Sequence, residues 1–339
     1  MNNNILDVHP GLVIGFVIVV FIMLLLDLGV FNKKAHEVSS KEATIWSVVW
    51  ISLSMLFSGV VYWVFNQTEG HVLALEKFTQ YQAAYWIEKA LSVDNLFVFI
   101  LVFGFFKVPK FLHHKVLFWG IIGALIFRAI FIFAGVELID LTYLPEMNVF
   151  GHAVRVNVVM TLFGLFLIYA GIKSWGDGSD DDDEDYSDTA GAKLIKSFWK
   201  VSDNYDKDKF FTIQNGIKTA TPLLVVVAVI EFTDVLFAVD SIPAIFAISN
   251  DPFILYTSNI FAILGLRSLY FLLANFIHMF SKLPYGLAII LAFIGVKMLI
   301  APWYHISSPV SLGIVGGVLI ISVLLSVLLP EKKEDHIVK

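Results

Sequence analysis

Nine stretches of mainly apolar residues divide this chain, most of them near the ~20 residues that a helix needs to cross the hydrocarbon of a bilayer. They run at 11–31, 44–65, 83–106, 115–139, 153–175, 218–248, 254–280, 285–301 and 307–329. The expectation is an all-α polytopic membrane protein of about nine transmembrane helices. The stretch at 285–301 is short, and that at 218–248 is long enough to suggest a break or a tilt. The first run has no basic residue before it and no small-x-small cleavage pattern, and it carries Asp27 near its end, so it reads as a retained span rather than a signal peptide. Composition agrees: 58% of the residues are hydrophobic and 15% charged, which no ordinary soluble domain shows.

Against that background, ionisable residues inside the apolar stretches stand out. The run Val229-Ile230-Glu231-Phe232-Thr233-Asp234-Val235-Leu236-Phe237-Ala238-Val239-Asp240-Ser241-Ile242-Pro243 holds three carboxylates. Each costs about 3 kcal/mol on insertion scales, so they must face protein, water or a bound cation. A second run, Glu88-Lys89-Ala90-Leu91-Ser92-Val93-Asp94-Asn95-Leu96, lays Glu88 on Asp234, Asp94 on Asp240 and Asn95 on Ser241. Arg128 in the fourth stretch answers to Arg267 in the seventh, and Tyr169-Ala170-Gly171-Ile172-Lys173 answers to Phe293-Ile294-Gly295-Val296-Lys297. Helices 3, 4 and 5 therefore recur as 6, 7 and 8. Three is odd, so the second copy enters the membrane inverted, as in secondary transporters whose sites lie near the midplane between the halves. The divisions expected are helices 1–2 in 1–65, a first repeat in 66–175, an acidic linker in 176–217, a second repeat in 218–301, and the last helix with a tail in 302–339. Residues 66–82 read equally as a short interfacial helix or a loop.

Lysines orient the chain. Sixteen fall in loops on one side: Lys33, Lys34, Lys41, Lys107, Lys110, Lys115, Lys193, Lys196, Lys200, Lys207, Lys209, Lys218, Lys282, Lys332, Lys333 and Lys339. The other side has Lys77, with Arg155 at a span edge. The N-terminus is thus expected outside and the C-terminus in the cytoplasm, in a bacterial inner or plasma membrane. Lys173 and Lys297 are expected to snorkel to opposite interfaces. The block Asp180-Asp181-Asp182-Asp183-Glu184-Asp185 reads as a self-repelling, solvated linker, with weak cation collection beside the inner mouth as the sharper alternative.

Glu231 and Asp234, three residues apart, share a helix face with Ser241 nearby. Asp240 does not, unless Pro243 kinks the helix by freeing the Val239 carbonyl and re-aims it. Running the two helices in opposite senses puts Asp94 and Asp234 near mid-membrane. Glu88 and Asp240 then fall about 9 Å further out, at 1.5 Å per residue. Glu88, Asp94, Asn95, Glu231, Asp234, Asp240 and Ser241 are thus the candidate metal ligands. All offer hard oxygen donors, suited to Mg²⁺, Ca²⁺ or Mn²⁺. With no cysteine in the chain there is no thiolate for zinc, copper or an iron–sulfur cluster. The five carboxylates, set against Lys89, Arg128 and Arg267, leave two negative charges, enough for one dication or two protons. The bland alternative is a set of buried ion pairs that only holds helices together.

These residues carry a resemblance. Ile87-Glu88-Lys89-Ala90-Leu91-Ser92-Val93-Asp94-Asn95-Leu96-Phe97-Val98, Asp234-Val-Leu-Phe-Ala-Val-Asp240-Ser241-Ile242-Pro243-Ala244-Ile245-Phe246-Ala247 and Thr257-Ser258-Asn259-Ile260-Phe261-Ala262-Ile263-Leu264-Gly265-Leu266-Arg267 closely resemble the TerC family of integral membrane proteins, in its Alx-like manganese-linked subgroup. The resemblance covers all nine stretches and implies a LysE-like transporter fold linked to Mn²⁺ efflux, with Mn²⁺ as cargo rather than resident cofactor. Family members are also tied to tellurium resistance, metalation of exported proteins and thylakoid biogenesis. The acidic block is more extreme than the family leads one to expect.

Two functions compete: a Mn²⁺ exporter, and a membrane scaffold that assists insertion or metalation of exported proteins. An intramembrane aspartyl protease is disfavoured because Ala238-Val239, not Gly-x-Gly, precedes Asp240. Neither His-Glu-x-x-His nor a phosphate-binding Gly-x-x-x-x-Gly-Lys-[Ser/Thr] occurs, so no enzymatic activity is expected. The partners expected are the lipid bilayer, divalent cations and protons, not nucleic acid. A homo-oligomer or a contact with the secretion machinery is left open.

Overall fold

The computed structural model describes residues 10–31, 39–149, 152–176, 186–214, 216–276, 282–304 and 306–329. The acidic block at 180–185 and the C-terminal tail lie outside them. The first half holds α1 (Pro10–Phe31), α2 (Ser40–Thr68), α3 (His71–Phe105), α4 (Lys110–Leu141), a hairpin of β1 (Met147–Val149) and β2 (His152–Val154), and α5 (Val158–Gly176). A connecting segment then carries α6 (Ala190–Phe198) and a hairpin of β3 (Phe211–Gln214) and β4 (Ile217–Ala220). The second half holds α7 (Pro222–Phe246), α8 (Pro252–Leu264), α9 (Leu266–Phe276), α10 (Leu283–Ile300) and α11 (Ser308–Leu328). Both hairpins are antiparallel, pairing Met147 with Val154 and Phe211 with Ala220 at their open ends.

Among the described residues, five helices (α2, α4, α7, α10 and α11) are long and apolar enough to cross a membrane, and six spans result if the bent pair α8–α9 counts as one. Apolar parts of α1 and α5 are shorter, at Pro10–Leu25 and Val158–Lys173. The 35-residue α3 is continuous, but Glu88, Lys89 and Asp94 break its apolar sequence. Among the described residues each of the nine apolar stretches contains helix, although 153–154 and 218–220 are strand.

Polarity is distributed inside out. Glu88, Arg128, Asp234, Thr257, Ser258, Asn259 and Arg267 are buried, while Leu56, Trp63, Ile320 and Leu324 face outward. In water that arrangement would expose too much oil; in lipid it hides the groups that cost most. At the centre, α3 packs on α7 and α8, α4 packs on the same two helices, and α5 packs on α10.

The local chemistry accounts for the starts and breaks. Asp251 caps α8 by accepting from the N–H groups of Phe253 (3.0 Å) and Ile254 (3.3 Å), and Pro252 takes the first helical position. Residues 71–82, read from sequence as a loop or a separate short helix, are instead the first turns of α3. The reason is lateral burial: Ala74, Tyr81, Ala83 and Ala84 are all packed inside. Pro243 does not unwind its helix either. Only three residues of α7 follow it, so the missing N–H falls in the last turn and the helix runs on to Phe246. The break lies at Gly265, where α8 and α9 meet at 41°. A side chain there would stand 2.9 Å from Lys89 Nζ and 3.0 Å from Trp50 Cβ.

Lys297 also departs from expectation. Rather than snorkelling it is buried, and its Nζ donates to Ser311 Oγ at 2.8 Å between α10 and α11. A hydroxyl within reach removes the need to extend to the interface. Lys173 is exposed at the end of α5, as a snorkelling lysine would be.

The tightest helix contact is α5 on α10. A Cβ at Gly295 would lie 2.6 Å from the Gly164 carbonyl oxygen, and one at Gly171 would lie 2.7 Å from that of Ala288. Small residues at these points let the backbones touch. Gly295→Leu is therefore expected to cost about 1–3 kcal/mol by overpacking, read as a lowered thermal midpoint in detergent micelles. An unchanged midpoint would mean that the two helices stand apart there.

Candidate cation site

The centre of the bundle is organised by one guanidinium. Arg128, on α4, is almost fully buried and pairs through Nη1 with Glu88 Oε1 of α3. Its Nη1 also donates to Asn259 Oδ1 of α8 at 3.0 Å, and its Nη2 donates to Asp234 Oδ1 of α7 at 3.4 Å. Asn259 completes the ring by donating from Nδ2 to Glu88 Oε2 at 3.0 Å, and Ser92 Oγ donates to Glu88 Oε1 at 3.3 Å. Four helices from both halves of the chain thus meet at one ion-pair network. Lys89, the neighbour of Glu88, points elsewhere: its Nζ donates to the Ala262 carbonyl at 3.2 Å, above the Gly265 break.

The network is closed on one side and open on the other. Both Glu88 oxygens have donors. By contrast, Glu231 Oε2, Asp234 Oδ2 and Ser241 Oγ are buried without a hydrogen-bond partner, as is Arg128 Nε. Leaving one such group unpaired costs about 1–3 kcal/mol, more if charged, and three of these oxygens lie on the one helix α7. Glu231 has room only because Gly123 faces it; a Cβ at that glycine would overlap its carboxyl group.

Of the seven ligands proposed from sequence, Glu88 and Asp234 come together on Arg128, and Glu231 and Ser241 carry bare oxygens on the helix of Asp234. Asn95 is buried on α3. The side chains of Asp94 and Asp240 lie outside the described residues. The depth argument put Glu88 well outside Asp234; instead both reach the same guanidinium, because a long arginine side chain and crossing helices bridge levels that straight-helix arithmetic separates. Among the described residues, no three His, Asp or Glu side chains are grouped to hold a metal ion. Sequence reasoning missed Asn259 as a member of the centre. The signal was there: Thr257-Ser258-Asn259 places three polar groups in an apolar span.

The arrangement defines a polytopic integral membrane protein with a charged, partly unsatisfied centre between two helical halves. The model of the Integral membrane protein TerC family matches residues 73–334, and the chain belongs to that family. It is 42% identical over 313 residues to the Escherichia coli (strain K12) protein named "Putative membrane-bound redox modulator Alx", covering 92% of each chain. The protein of the same name from Shigella flexneri is equally similar, at 42% over 92% of this chain and 93% of its own. The "Uncharacterized membrane protein STKORF319" of Myxococcus xanthus is 43% identical over 94% of this chain and 92% of its own. No solved structure matches.

Removing the guanidinium while leaving its partners should be costly. Arg128→Met is expected to destabilise the protein by about 3–5 kcal/mol, since it strands Glu88 and Asp234. Combined with Glu88→Gln and Asp234→Asn it should cost less than alone, the coupling expected of residues in one network. Denaturant unfolding in micelles of the single and triple variants measures this; additive losses would show that the network does not act as a unit.

Proposed function

We propose that this protein exports a divalent cation, Mn²⁺ fitting best, in exchange for protons at the carboxylates around Arg128. The observation that carries the reading is the set of bare buried oxygens of Glu231, Asp234 and Ser241 along α7, the helix whose Asp234 is bridged to Glu88 by the Arg128 guanidinium. In this reading Arg128 is a resident stand-in for the cargo. It neutralises the carboxylates when no ion is bound, and an arriving dication displaces it from Asp234. Asp94, Asp240 and Asn95 would supply further hard oxygen ligands of the kind Mn²⁺ accepts.

The architecture proposed for this function is nine spans with an inverted repeat, α3–α5 against α7–α10. Reciprocal packing supports it: exchanging the two copies turns the α3–α8 contact into the α7–α4 contact, and both occur. The α5–α10 seam supports it too. Gly171 and Gly295 are equivalent in the repeat, as are Gly164 and Ala288, seven residues before each. Gly171 abuts Ala288 and Gly295 abuts Gly164, the same contact made twice. Two packed halves around a charged centre suit alternating access.

Export from a cell that is negative inside works against the potential by about 4.6 kcal/mol per dication at 100 mV. Two protons returning per Mn²⁺ would make the cycle electroneutral. The scaffold reading draws on Glu88, whose oxygens are already fully partnered, as a purely structural carboxylate would be. The relatives' name points to redox control, but with no cysteine this chain has no dithiol chemistry of its own.

Purified protein in liposomes decides between them. Mn²⁺ flux is expected to acidify the compartment the metal leaves, and Asp94→Asn or Asp234→Asn should abolish it at normal insertion. No flux from well-folded protein would favour the scaffold. Glu88→Gln should slow the proton exchange; transport that follows voltage and ignores an imposed pH gradient would instead describe a uniporter.

A further inference from the structure

Helix α3 is held to the second half of the chain by polar contacts at two levels. At the centre, Glu88 accepts from Asn259 of α8 at 3.0 Å. Eight residues before Glu88 stands Gln80, and eight before Asn259 stands Asp251, the cap of α8. Both are engaged across the same seam. Lys77 Nζ donates to Asp251 Oδ2 at 2.6 Å, and Ser249 Oγ donates to Gln80 Oε1 at 2.9 Å. Two helices that meet again at matching intervals run side by side in one direction. The second set of contacts therefore lies about 12 Å from the first, at 1.5 Å per residue. It closes the end of the bundle where α3 begins, the side that the lysine distribution assigns to the outside. The Lys77 and Asp251 side chains keep 17% and 15% of their surface exposed there, whereas Gln80 and Ser249 are buried behind them.

These outer contacts form one connected set. Gln80 Nε2 also donates to Glu76 Oε1 at 2.9 Å, and Ser249 Oγ accepts from the Asp251 N–H at 3.1 Å. Lys77 lies over the Phe65 ring of α2 at 5.9 Å. The set thus ties α3 to the link between α7 and α8 and to the first turn of α8. Between it and the Arg128 network the seam is apolar. Ala84 of α3, Ile132 of α4, Ala238 and Ile242 of α7, and Leu255 of α8 belong to one buried cluster. The way from Asp234 to this end is therefore shut twice, by an apolar plug and by a polar latch beyond it. A hydrated or bare dication cannot pass such a plug, so exchange of an ion with that side requires α3 and α8 to part there. Polar contacts suit a seam that opens to water, because each group released regains a hydrogen bond to solvent and the net loss is small.

We propose that the Lys77–Asp251 and Gln80–Ser249 contacts are the latch of an outer gate, closed in this structure, which parts to let the cation leave. The gate rests on the transport reading, and its test has one arm that needs no transport. Because the chain has no cysteine, Ala84→Cys places a single thiol beneath the latch. In nanodiscs its reaction with a membrane-impermeant methanethiosulfonate should be slow, and several-fold faster once Lys77→Met and Gln80→Leu remove the latch. Ala288→Cys, buried in the seam of α5 and α10, should stay unreactive in both backgrounds. Equal rates at 84 with and without the latch would overturn the proposal, and so would a matching rise at 288, which would mean general loosening. In liposomes, Gln80→Cys with Ser249→Cys, joined by a short bifunctional methanethiosulfonate, should stop Mn²⁺ flux, and a reductant should restore it. Flux that continues through the joined protein would also overturn the gate. No flux even before joining, with labelling at 84 still governed by the latch, would count against Mn²⁺ transport and support the gate.

Discussion

A single buried guanidinium sets the terms for the rest of this structure. A cation inside a bilayer protein must be neutralised nearby, and Arg128 is met by Glu88 from α3 and Asp234 from α7, with Asn259 from α8 closing the ring. Those three helices come from both halves of the chain, so satisfying one charge fixes how the halves dock. The attraction is strong where the dielectric is low, but so is the cost of desolvation. Such a centre gives little net stability and much specificity: any arrangement that leaves a member unpaired is heavily disfavoured.

The same economy explains what the centre leaves open. Glu88 has a donor for every oxygen, while Glu231 and Asp234 each keep one bare. That asymmetry within one ion-pair centre is the feature on which the proposed cation exchange rests. Gly123 belongs to this logic, because the space it leaves is what lets the Glu231 carboxyl sit between helices.

Small residues recur wherever backbones must approach. Gly164, Gly171 and Gly295 bring α5 onto α10, Gly265 admits Lys89 at the break between α8 and α9, and Gly191 sets α6 on α7. In lipid, where apolar side chains gain little by leaving one apolar environment for another, close van der Waals contact and polar pairing have to hold helices together. The seams and the charged centre supply one each.

Much of the outline was legible in the sequence, because hydropathy and length are local properties. The helical, membrane-spanning character could be read from the apolar stretches, and intramembrane carboxylates and arginines announced a buried polar centre, since lipid tolerates them nowhere else. The repeated motifs picked out Gly171 and Gly295, both of which lie in the closest seam. Tertiary structure alone decided which charges meet. Straight-helix depths set Glu88 apart from Asp234, but helix crossing and the reach of Arg128 joined them. Likewise Pro243 is harmless because of where its helix ends, and Lys297 stays buried because Ser311 is across from it. These outcomes depend on the neighbour that packing brings, and periodicity along one helix does not encode that.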